Sequence, residues 1–222
     1  EYMEMDASMN ATWVDLYLNG EYAGVYLLSE AITIDDNRVD IYDLEKENRQ
    51  NNEEIDNSFM FSEERIKGYE LENVDTLSGG YLIEKDKENY FSSDKETAGF
   101  ITESGYTFSI KAPKHASREQ VEYISDYIQN VEDLIEAGDE RCWDYIDIDS
   151  FVKRFLIDEI SLDVDANITS MYFYKDKDSD ILYAGPAWDY NIAFGECNGG
   201  WAEGIGVWYE GSVNNPYRTD RL

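Results

Sequence analysis

The segment from Asp158 to Gly195, DEISLDVDANITSMYFYKDKDSDILYAGPAWDYNIAFG, constrains the fold more than any other stretch of the chain. An acidic loop with Asp163 and Asp165 leads to Ser170, then to a strand, a turn, a second strand and Asp189. Two strands joined by a short turn bring the chain back to its starting point, so Asp165 and Asp189 are expected to face one another. Carboxylates placed in this way suit a divalent cation and a phosphate ester. The Gly185-Pro186 turn and Trp188 make a stiff support for the strand end that carries Asp189. The DKDSD run at 176–180 opens like a calcium loop, but Ile181 stands where glycine is required and Ala187 where the bidentate Glu should be. It reads as the tip of the hairpin.

The rest of the chain divides by character. TWVDLYLNGEYAGVYLLSE alternates apolar residues on both sides of Asn19-Gly20, which is a hairpin signal. Gly20 and Gly24 can serve a simple turn or a loop that covers a phosphate. Glu30 ends the second strand, and Arg38 lies in the extended run that follows. Residues 45–76 are charged and aperiodic and read as a surface insertion. LSGGYLIEKDK is a strand carrying Glu84 and Lys85, and FITESGYTFSIKAPK is a hairpin that closes with Lys111. That lysine is either a phosphate ligand or an ordinary strand lysine facing solvent.

Beyond residue 114 the periodicity becomes helical. Ser117-Arg-Glu-Gln120 is a capping box, followed by Val121, Ile124, Ile128, Val131, Leu134 and Ile135 at helical spacing, with Gly138 as the stop. A second helix is predicted from about Asp149 to Ile160, with Phe151, Val152, Phe155, Leu156 and Ile160 inward. The fold class is α+β, with a β-rich part at 1–114 and a helical part at 115–222 that carries the acidic site.

Charge narrows the partners. The 222 residues include 49 acidic and 18 basic ones, a formal charge of −31, which repels nucleic acid and anionic membrane surfaces and favours a basic partner. An anionic substrate then needs a metal and well-placed Lys or Arg. His115 is the single histidine, which excludes His-rich metal sites. Cys142 and Cys197 are not in a C-x-x-C pair; one disulfide and two buried thiols both remain open. No apolar run is long enough to span a bilayer, and no stretch reads as a signal peptide. The abrupt opening EYMEMDASMN is that expected of an excised fragment, and the end after Gly195 looks short.

In order along the chain, NGEYAGVYLLSE, GGYLIEKD, FSIKAP, DIDSFVKRFLIDEISLDVDANITSMYFYKDKD and AGPAWDYNIAFG resemble the CotH family, the spore coat protein H kinases. The resemblance implies an atypical protein-kinase-like fold with a catalytic β-hairpin. It also implies phosphoryl transfer from ATP, with Mg2+ or Mn2+, to Ser or Thr of a secreted, cell-surface or spore-coat protein, one that is basic or rich in Ser and Thr. By position it makes Asp165 catalytic and gives metal-binding roles to Asp189, Ser170 and Asn191. Lys111 or Lys85 would contact the phosphates, with Glu30 and Arg38 ordering the nucleotide site. Two departures bear on activity: Asp163 stands where the family often has Asn, and Asn191 where it has Asp. A module that keeps the fold without catalysis, with Trp188, Trp201 and Trp208 available for stacking on a glycan, is the alternative function.

Overall fold

Among the described residues seven strands build one large sheet whose alternation of side chains gives it two different faces, and two more form a separate hairpin. The computed structural model describes residues 5, 7–92, 96–161, 163 and 166–194. Asp165, Cys197, Trp201 and Trp208 therefore lie outside the described residues. The elements are β1 (Ala11–Leu18), β2 (Glu21–Ser29), α1 (Leu44–Asn51), β3 (Met60–Ser62), β4 (Ile66–Tyr69), β5 (Tyr81–Asp86), the one-turn α2 (Glu88–Phe91) and β6 (Gly99–Ile101). They continue with β7 (Thr107–Ala112), α3 (Arg118–Glu136), α4 (Ile148–Ser161), β8 (Met171–Lys175) and β9 (Leu182–Ala184).

Seven strands pair in the order β3-β4-β6-β7-β5-β8-β9, every neighbouring pair antiparallel. β5 lies near the middle, between β7 and β8. Its odd positions, Tyr81 and Ile83, join Phe100, Phe108, Ile110 and Leu182 in a core closed by Val121, Ile124, Ile128 and Val131 of α3. Each such side chain contributes roughly 2 kcal/mol of burial. Its even positions face the other way: Leu82 packs with Tyr172, Tyr174, Val39 and Ala7, while Glu84 and Asp86 give that face its polar character.

The helix boundaries follow the sequence closely. Ser117 caps α3 in a complete capping box with Gln120, and the helix gives way to Gly138 at φ +63°. Gln120 also bonds the buried Asn48 and the Thr76 carbonyl, so the cap anchors α1 as well. The 45–76 stretch is more than a surface insertion: it supplies most of α1 and both β3 and β4, which extend the sheet beyond β6. Its strands are too short for their alternation to stand out among the charges, and pairing with β6 defines them.

The inward face of α4 also differs from the sequence expectation. Arg154 and Asp158 are buried, whereas Val152, Phe155, Leu156 and Ile160 are 42–51% exposed. Of the predicted inward residues, Phe151 packs on the sheet, with its ring 5.8 Å from that of Phe173. The polar stripe can go inside because Arg154 and Asp158, one turn apart, pair at 3.0 Å through the guanidinium Nε, although Nη1 is buried without a hydrogen-bond partner. Among the described residues, no helix is long and apolar enough to cross a membrane.

Candidate active site

The polar patch on the even face of β5 grows from strand register. Glu84 lies opposite Ser109 on β7 and opposite Tyr172 on β8. Lys111, beside an irregularity in the β5–β7 register, reaches back to Glu84 at 2.8 Å and across to Glu96 at 2.9 Å. Burial works against the Lys111 charge, but the hydrogen bonds to these carboxylates outweigh it and hold the ammonium above its usual range. Two positions along, Asp86 accepts from Ser109 Oγ at 3.1 Å and from Thr169 Oγ1 at 2.9 Å.

The Asp86–Thr169 bond fastens the loop before β8 to the strand. Lys85, on the opposite face of β5, fastens it again by donating to Asn167 Oδ1 at 2.9 Å, with its Nζ 4.1 Å from the Tyr106 ring centre. Burial pulls the Lys85 ammonium down to about 8, against the attraction of Glu132. Asn167 and Ser170 both have positive φ, +67° and +56°, so the loop turns sharply into β8.

After β9 the chain passes Gly185-Pro186 and reaches Asp189, also at positive φ, +66°. Ser170 Oγ donates to Asp189 Oδ2 at 3.2 Å. The hairpin thus joins the loop before β8 to the residues after β9, as its topology predicts. Asp189 is exposed, Ser170 is partly exposed, and Asn191 lies exposed in the next turn.

The remaining candidates sit elsewhere. Glu30 accepts from Asn10 N at 2.9 Å and Asn10 Nδ2 at 3.0 Å, and these bonds lower its pKa. Arg38 lies 4.0 Å from Asp35 and, through its charge, also favours the Glu30 carboxylate. Glu30 follows the end of β2 and Arg38 lies in the loop after it, and among the described residues no hydrogen bond or ion pair joins them to Lys111, Lys85 or Asp189. Gly20, at φ +88°, makes the hairpin turn with Asn19.

Sequence reasoning passed over three carboxylates: it noted Glu84 only as a strand residue, and it did not single out Asp86 or Glu96. The available signal was the alternation Leu82-Glu84-Asp86, which puts both β5 carboxylates on one face. Glu96 carries no such pattern. Asp163, suspected of adding charge beside a substrate, is 3% exposed, and its N–H bonds the Asp158 carbonyl at 3.2 Å. Two of the three DKDSD carboxylates have structural partners: Asp176 accepts from the Tyr42 and Lys177 amides, and Asp178 from Ser78 Oγ.

The sequence model of the family described as CotH kinase protein matches residues 2–219. The chain belongs to that family. No curated protein and no solved structure matches it. Membership makes this a kinase-like protein, for which ATP, a divalent metal and a protein substrate are the implied companions.

The family's metal can be tested against the donors present. Asp189, Ser170 and Asn191 offer carboxylate, hydroxyl and amide oxygens, the hard donors that Mg2+ and Mn2+ accept. Among the described residues no group of three or more His, Cys, Asp or Glu side chains could hold a metal by itself. Mg2+ is commonly held by one or two carboxylates, with phosphate oxygens and water completing the shell. The residues fit the ion.

Proposed function

We propose that the protein transfers the γ-phosphoryl group of ATP to Ser or Thr hydroxyls of a secreted or surface protein. The observation that carries this reading is the Ser170–Asp189 hydrogen bond, which gathers two oxygen donors at the mouth of the hairpin. Asp189 and Ser170, with Asn191 beside them, would hold Mg2+ or Mn2+. The bound ion would supply neutralising charge to the phosphates.

The chain's own residues do the rest. Lys111, fixed between Glu84 and Glu96, repeats the lysine–carboxylate ion pair by which kinases position the phosphates. Lys85 steadies the loop before β8 through Asn167. Asp165 orients the acceptor hydroxyl and takes its proton, while the part in ordering the nucleotide site given to Glu30 and Arg38 rests on family position alone. Catalysis of this kind rests on positioning and electrostatics.

Transfer of labelled phosphate from ATP to a Ser/Thr-rich basic acceptor, with Mg2+ or Mn2+ present, is the test. Asp189→Ala and Asp165→Ala should each lose at least about a hundredfold in rate. Asp126→Ala, a change to an exposed residue of α3, should keep it. Absence of metal-dependent transfer in the wild-type protein would sink the reading.

A further inference from the structure

The stripe of α4 that faces inward is polar, and it meets the chain again just after Asp189. Arg154 and Asp158 are 3% and 4% exposed, and the guanidinium Nε donates to both carboxylate oxygens at 3.0 and 3.2 Å. Tyr190, the residue after Asp189, sends its hydroxyl to Asp158 Oδ1 at 2.7 Å, and its ring lies 5.6 Å from the Arg154 guanidinium carbon. Two backbone bonds flank this cluster. Phe194 N–H donates to the Ser161 carbonyl at the end of α4, and Asp163 N–H to the Asp158 carbonyl at 3.2 Å.

Such a cluster is expensive. Burying a guanidinium and a carboxylate on a helix whose apolar residues Val152 and Leu156 stay outside costs more than burying those two in their place. A buried polar network of this kind fixes geometry that apolar packing would leave adjustable. What it fixes here is the neighbour of Asp189.

We infer that the Arg154–Asp158–Tyr190 cluster is a clamp holding the Asp189 turn against the end of α4, which makes Tyr190 and Arg154 positioning residues for phosphoryl transfer. The inference rests on the proposed function for its catalytic consequence, and on the contacts alone for the clamp. Tyr190 restrains the backbone on one side of Asp189, while Ser170 touches the carboxylate directly. The two restraints together leave the positive-φ turn at Asp189 little freedom.

Tyr190→Phe removes the hydroxyl and keeps the ring, so the fold should persist. Amide hydrogen exchange in residues 190–194 should then quicken about tenfold, with α3 and β5 unchanged. In the transfer assay kcat should fall about tenfold while KM for ATP moves little, because a misplaced donor costs more in the transition state than in substrate binding. Arg154→Lys, which keeps a cation within reach of Asp158, should fall between wild type and Arg154→Met in both readouts. Unchanged exchange at 190–194 in Tyr190→Phe overturns the clamp whether or not the wild type is active. Exchange that rises evenly over the whole chain overturns it too, since that marks a general loss of stability. A local exchange effect in a wild-type background that transfers no phosphate supports the clamp and overturns the kinase reading.

Discussion

Lys111 joins two carboxylates that would otherwise repel one another. With the lysine gone, Glu84 and Glu96 face each other across a partly buried gap, and neither has an equivalent partner. Removing one member of a buried ion pair costs more than the pair itself contributes. Lys111→Met should therefore lower stability by about 2 kcal/mol, less than for a fully buried pair because the lysine side chain is 27% exposed. Adding Glu84→Gln should restore more than half of that loss. Denaturant unfolding of the two single variants and the double variant checks this, and a double variant that is simply the sum of its parts would refute the coupling. The strand alternation could have flagged the carboxylate side of this pair. The bridge to Glu96 could not be read from sequence, because it joins residues on opposite sides of the β6 strand.

Elements were legible where local chemistry decides them and illegible where distant partners do. The capping box and apolar spacing placed α3 to within a residue or two at its ends, because Ser117 and Gln120 act on their own helix. The same periodicity located α4 but gave the wrong inward face, since the partner of its polar stripe, Tyr190, lies 32 positions after Asp158. The hairpin tip shows a third case. A Cβ at Gly79 would lie 2.0 Å from the Asp176 carbonyl oxygen, backbone against backbone, so the entry to β5 can meet the β8–β9 tip only without a side chain. Gly79→Ala should cost at least about 2 kcal/mol, visible as a lower unfolding midpoint. Gly105→Ala is the useful contrast: its Cβ would meet nothing within 4 Å, and only its positive φ, +87°, resists the change. Equal effects at the two positions would show that the close approach at Gly79 does not matter. In the sequence Gly79-Gly80 simply introduces a strand, and nothing in it announces a second chain segment pressed against the first.

For the whole molecule, the charge of −31 sets opposite conditions for the two substrates of the proposed reaction. In the proposed reaction ATP approaches a surface of its own sign and must rely on the metal and Lys111, one of only 18 basic residues. A basic acceptor is drawn in by the same field. Salt weakens both effects, since the screening length falls from about 30 Å at 0.01 M to about 8 Å at 0.15 M. Raising the ionic strength over that range at a fixed free concentration of metal should lower KM for ATP and raise KM for a cationic acceptor peptide, each by a factor of about 3 to 10. An acceptor peptide of neutral charge should show no rise. Initial rates with each substrate varied in turn separate the trends, because a general effect of salt on the fold would move both KM values in one direction. Two parallel trends would remove the basic-acceptor part of the proposal and leave the site residues untouched. Divergent trends would identify the acidic surface as the feature that selects the acceptor, a role that the charge of −31 raises and that the salt dependence makes measurable.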